Sequence, residues 1–259
     1  PASPPTNDTG TLVIESDDLS SPNHAFLYQN GVMTDLNDVA SIDGYTLTQA
    51  NAINDYGQIA ALGYTDPTNI TNSTPHVFLL NPTTRTVTSD TATGYLNGAP
   101  SDPGAVHFSF SQVATPGNFS AEFDTLSGDP SASAQSFFGF GPLTFSVPGG
   151  DDHGVLQLLA LNYTGTLAPG DEATITFTYD PSDLPPGYDQ NQLAMYHYHD
   201  GAWQLLDSAL DIPDHQITFT TDSFSPFALG EVPSPAPEPA SLTLLAAGAL
   251  LGLKRRRKC

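Results

Sequence analysis

Residues 172–180 read EATITFTYD, and residues 215–229 read HQITFTTDSFSPFAL. In both, Ile and Phe alternate with Thr, the period of two that sends successive side chains to opposite faces of a strand. A helix would scatter Ala173, Ile175 and Phe177 around its circumference, whereas a strand collects them on one side. Working outward, VHFSFSQV (106–113), FSAEFDTL (119–126), FFGFGPLTFSV (137–147), VLQLLALNY (155–163), QLAMYHYHDG (192–201) and AWQLLDSAL (202–210) are runs of similar length. Turn clusters separate them at 147–154 (VPGGDDHG), 168–172 (APGDE) and 180–189 (DPSDLPPGYD). Seven to eight short strands at this spacing predict an antiparallel β-sandwich over 106–230. Phe108, Phe110, Phe137, Phe138 and Phe140 read as core-strand residues, and Trp203, the single tryptophan, as core or rim packing.

Upstream, residues 1–10 (PASPPTNDTG) read as a disordered end, and residues 11–97 as a separate β region. TLVIE (11–15) alternates like a strand. In HAFLYQNGVMTDL (24–36), Asn30-Gly31 stands between two apolar runs, the strongest short-range hairpin signal. Asp55-Tyr56-Gly57 marks a tight turn inside AINDYGQIAALGY (52–64), and NPTTRTVT (81–88) reads as a further hairpin. GAPSDPGA (98–105) has linker composition. His24-Ala25-Phe26-Leu27-Tyr28, Asn30-Gly31, Asp35-Leu36 and Ala52-Ile53-Asn54-Asp55-x-Gly57-Gln58-Ile59 resemble the HAF repeat of bacterial extracellular proteins. His76-Val77-Phe78-Leu79 would open a second copy. The resemblance implies a short meander of the propeller-blade kind, known by its pattern and not by a catalytic activity. The expected fold is therefore all-β: a blade-like meander, then a sandwich, then one short hydrophobic helix.

Charge narrows the function classes. There are 28 Asp+Glu against 6 Lys+Arg, a formal net charge of −22. Five of the six cations are Lys254 to Lys258 and the sixth is Arg85, so residues 1–253 carry 28 acidic groups against one basic, a net of −27. Nucleic acid is excluded as a partner, because phosphate binding requires Lys and Arg to displace counterions. A single cysteine, Cys259, excludes a disulfide scaffold or a cysteine-built zinc finger.

The tail is the sharpest signal. Residues 231–239 end in PSPAPEP, a proline-rich extended spacer. Residues 240–253, ASLTLLAAGALLGL, are apolar apart from Ser241 and Thr243, and Ala240, Leu242, Leu244, Leu245, Leu250, Leu251 and Leu253 form the expected membrane segment. A permanent span needs about 20 apolar residues, so this run is marginal as an anchor. The basic cluster that follows fixes its own end on the cytoplasmic side. Pro237-Glu238-Pro239, the apolar run and Arg255-Arg256-Arg257, in that order, resemble the PEP-CTERM sorting signal of Gram-negative and related bacteria. The resemblance implies recognition by exosortase, a membrane-embedded cysteine transpeptidase, with cleavage near the Pro-Glu-Pro. It also implies transient anchoring in the inner membrane and delivery to the envelope or an exopolysaccharide matrix, the setting of a biofilm. An exported chain requires a secretory leader. Residues 1–10 hold none, so a removed leader or a fragment is expected.

Catalytic signatures are missing: no G-x-S-x-G, H-E-x-x-H or phosphate loop occurs. His197 and His199 stand at i and i+2, on one face of a strand, with Asp200 next, but no third metal ligand is identifiable. His24 and His76 read as structural. Asp17-Asp18, Asp151-Asp152 beside His153, and Asp180, Asp183 and Asp189 are loop carboxylates that could take Ca²⁺ opportunistically, without the spacing of a calcium loop. The expectation is a non-enzymatic exported surface or matrix protein, with no cofactor and no metal site. Its competitors are an extracellular polysaccharide-binding module, calcium-assisted or not, and a secreted hydrolase whose carboxylates only the fold would bring together.

Overall fold

The structure is a computed structural model that describes residues 12–15, 23–29, 31–40, 42–69, 73–89, 92–125, 157–184, 189–224 and 226–232. The strand expected over 137–147, the spacer from residue 233 on, the hydrophobic helix and the basic tail lie outside the described residues; Glu231, read as the start of the spacer, instead ends the strand Phe227–Glu231, and the Val232 N–H donates to the Gln192 carbonyl. Among the described residues no helix is long and apolar enough to cross a membrane.

The chain is mostly β, in antiparallel sheets with few and short helices. Strands β1 (Leu12–Glu15), β2 (Ala25–Gln29) and β3 (Val32–Asp35) form one three-stranded sheet. A single helical turn, α1 (Leu36–Val39), follows. Strands β4 (Thr46–Ile53), β5 (Ile59–Tyr64) and β6 (His76–Leu80) form a second three-stranded sheet. Both turn signals are realised. Gln29 pairs with Val32 around Gly31 at φ +81°. Ile53 pairs with Ile59 around Gly57 at φ +82°, and Asn54 Oδ1 accepts from the N–H groups of Tyr56 and Gln58. The two sheets share one core of Val13, Ala25, Leu36, Leu47, Ala50, Ile59 and Ala61.

Most of the other described strands build two larger sheets. The six-stranded sheet runs β16 (Ala202–Leu205), β15 (Leu193–His199), β19 (Phe227–Glu231), β12 (Gln157–Tyr163), β11 (Gly117–Thr125), β7 (Thr84–Val87). The five-stranded sheet runs β17 (Ser208–Asp211), β18 (Gln216–Thr221), β14 (Ala173–Thr178), β9 (Val106–Phe110), β8 (Thr93–Leu96). β10 (Val113–Thr115) and β13 (Thr166–Leu167) pair as a small ribbon. Alternate residues of both large sheets meet in a single core. Phe108 and Phe110 of β9 lie 4.8 and 5.3 Å from Phe119 of β11, and Phe219 of β18 lies 5.0 Å from Phe227 of β19. These rings and Ile175, Phe177, Leu159 and Met195 are almost fully buried. The alternation of Ile and Phe with Thr in residues 173–178 and 216–221 is thus the core pattern itself.

Two local expectations differ from the structure. NPTTRTVT is not a hairpin: β6 pairs with β5, while β7 pairs with β11, so Thr86 lies opposite Asn118. Val87, fully buried in the larger core, draws β7 into the six-stranded sheet. The GAPSDPGA stretch connects the hairpin β8–β9 and is tied down rather than free. Asp102 accepts from the Ala99 N–H and from Gln58 Nε2, and Gly104 N–H donates to the Thr178 carbonyl.

Candidate functional site

Among the described residues, those singled out in the sequence do not converge. His24 Nδ1 lies 2.5 Å from Asp35 Oδ2. Asp35 also caps α1 through the Asn37 N–H, and Asn37 holds Leu47 of β4 by both its N–H and its carbonyl. His76 has other company: its ring stands 4.7 Å from Tyr45, whose hydroxyl lies 3.3 Å from Nε2. The residue eleven positions after His76, where a second Asp35 would be needed, is Val87. His24 and His76 are therefore not equivalent places of one repeat.

His197 and His199 do share a face of β15, with ring centroids 5.8 Å apart. His197 is buried and stacks on Phe227 at 4.6 Å, nearly parallel. Burial lowers its pKa, His199 adds to the lowering, and Asp222 opposes it. His199 Nε2 lies 3.4 Å from Asp200. Asp180 and Asp189 are engaged in capping the short turns that follow them, accepting from Ser182 and Asn191. Those bonds hold both carboxyls below the usual range. Among the described residues no group of three or more His, Cys, Asp or Glu is placed to hold a metal ion. Asp17, Asp18, Asp151, Asp152, His153 and the sorting-signal residues lie outside the described residues. Trp203 is half-buried against Tyr198, 5.3 Å away across the β15–β16 pair, as rim packing.

The structure assembles something the sequence did not announce. On the outer face of the five-stranded sheet the register places Tyr95 opposite His107, His107 opposite Thr176, and Thr176 opposite Thr218. The Tyr95 and His107 rings are 4.6 Å apart. Thr93 Oγ1 lies 3.2 Å from His107 Nε2, and the hydroxyls of Thr176 and Thr218 are 2.9 Å apart. Tyr56, from the β4–β5 turn, stands edge-on to Tyr95 at 4.9 Å and continues the row past the sheet edge. The parallel rank holds Thr93, Ser109, Thr174 and Thr220 in mutual register. Neither rank contains a carboxylate, a lysine or an arginine. Burial lowers the His107 pKa and so favours the uncharged ring. Sequence alternation marks each of these residues as outward-facing, but only strand order and register bring them into line.

Arg85, the one cation of residues 1–253, sits nearby. Its stem passes under Gly94 and its guanidinium rests over Gly57, where a Cβ would come within 2.6 Å. Burial lowers its pKa from the ordinary arginine value.

Comparison with known proteins bears on the tail alone. Residues 235–258 match the PEP-CTERM protein-sorting motif. No curated protein and no solved structure matches the chain. Signals of this class are processed by exosortase and belong to secreted, envelope-associated proteins.

Proposed function

We propose that this is an exported protein of the bacterial cell surface or extracellular matrix, delivered by its C-terminal signal and without a catalytic role of its own. The observation that carries this reading is the motif match at 235–258, within which Pro237-Glu238-Pro239, the apolar run and Arg255-Arg256-Arg257 keep the order of a sorting signal. The physical parts are suited to a transient dwell in the inner membrane. As a helix, residues 240–253 would be about 21 Å long at ~1.5 Å per residue. That is short of the ~30 Å hydrocarbon core. The arginines hold their end in the cytoplasm, and the prolines present an extended backbone to the processing enzyme outside it.

The body fits the same reading. Two large sheets sharing one aromatic core support a β-sandwich as the delivered domain, and the small sheets of residues 12–80 support a blade-like meander packed beside it. Replacing Pro237-Glu238-Pro239 by alanines tests the assignment in a host that contains an exosortase. The altered chain is expected to stay full-length in the membrane fraction while the native chain is shortened and leaves it. Identical processing of both chains would overturn the reading.

A further inference from the structure

We propose that the outer face of the five-stranded sheet binds a neutral polysaccharide, laid across the strands along the row Tyr56–Tyr95–His107–Thr176–Thr218. This deepens the reading of the body as a surface or matrix protein and names its ligand class.

Three observations converge on it. The row is continuous: four consecutive strands contribute one outward side chain each in direct register, so Tyr95 to Thr218 spans about 14 Å at ~4.8 Å per strand. It is chemically graded. Two tyrosines and an imidazole, half-buried and packed against one another at one end, form an aromatic ledge against which the apolar faces of sugar rings can lie. Hydroxyls follow at the other end, able both to donate to and to accept from sugar hydroxyls. Threonine alone would be unremarkable on an exposed strand, because its branched side chain favours strands; its alignment with the aromatic end is what forms a surface for a carbohydrate.

The third observation is charge, and it selects the occupant. Residues 1–253 carry 28 acidic groups against one basic. The two ranks nevertheless hold no carboxylate; carboxylates border them at exposed Glu172, two residues before Thr174, and at Asp211, opposite Gln216. An acidic polymer approaching this face meets the repulsion of the whole body, with Arg85 as the single offsetting cation. A neutral chain lying along the two uncharged ranks leaves the bordering carboxylates in water and asks for no ion to be desolvated.

The test uses the purified full-length chain, so it does not depend on any sorting step. Cellohexaose, maltohexaose and mannohexaose are titrated while amide and ring resonances are followed, with hexameric alginate as the acidic counterpart. The expected result is millimolar or tighter binding of at least one neutral hexamer. Shifts should concentrate on Tyr95, His107, Thr176 and Thr218, with alginate weaker. Tyr95→Ala should weaken binding tenfold or more. Thr176→Val, nearly isosteric and still strand-favouring, should weaken it severalfold with the fold intact. The proposal is overturned if none of the three neutral hexamers shifts the row at millimolar concentration, if alginate binds better, or if binding survives Tyr95→Ala and Thr176→Val unchanged. Each outcome is independent of whether exosortase processes the tail.

Discussion

Asp35 serves three partners at once: the His24 ring, the first turn of α1 and the Asn37 side chain. Burial pushes its carboxyl pKa up, but the bonds from His24 and Asn37 outweigh it, and the pKa lies below the usual aspartate value. A depressed pKa contributes stability above the unfolded-state value of about 3.9, and that contribution is lost as the pH falls through the folded-state value. Asp35→Ala should cost about 1–2 kcal/mol at pH 7, the range of a lost N-cap. Urea unfolding at pH 7 and again below the folded-state pKa checks this: the gap between native and variant should narrow in acid, and a constant gap would refute the linkage. Tyr179 makes the opposite case. Its ring is fully buried in the larger core, its hydroxyl has no hydrogen-bond partner among the described residues, and burial together with Asp211 raises its pKa. Removing a buried hydroxyl without a partner is nearly neutral or favourable. Tyr179→Phe should therefore match or exceed the native melting temperature, and a clear drop would mean that the hydroxyl is held.

At the scale of elements, Gly117 opens β11 where the backbone passes against Gly165. A Cβ there would lie 2.1 Å from the Gly165 nitrogen, and backbone cannot yield as a side chain can. Gly117→Ala should destabilise by about 1–3 kcal/mol, the cost of overpacking, in a denaturant titration. Ala substitution at exposed Gly170, which has open space around its Cβ position, separates steric crowding from the left-handed backbone penalty. Which elements exist was largely legible in the sequence, because alternation and turn chemistry are local: Ile175 and Phe177, the Gly31 turn and the Asn54–Gly57 turn all stand where the pattern puts them. Which sheet an element joins was not. Thr84–Val87 follows β6 after three residues, yet it pairs with β11 because burying Val87 in the larger core outweighs a local hairpin. Register across strands is a long-range property, so the Tyr95–His107–Thr176–Thr218 row had no signature in any one segment, whereas the tail, being contiguous, was readable outright.

For the whole molecule, one cation among 28 carboxylates over residues 1–253 leaves self-repulsion largely uncompensated. The ion pairs His24–Asp35 and His199–Asp200 each join a histidine to an aspartate. Screening tightens as the Debye length falls to about 10 Å at 0.1 M salt. The melting temperature at neutral pH should therefore rise from low to moderate salt; a fall would mean that attractive pairs dominate. The sorting reading rests on the motif at residues 235–258. Its most direct test is the intact mass of the full-length chain produced in a host with an exosortase and in the same host without it. Loss of a C-terminal segment beginning near Pro239, only where the enzyme is present, is the predicted result. A chain of unchanged mass in both hosts would contradict it.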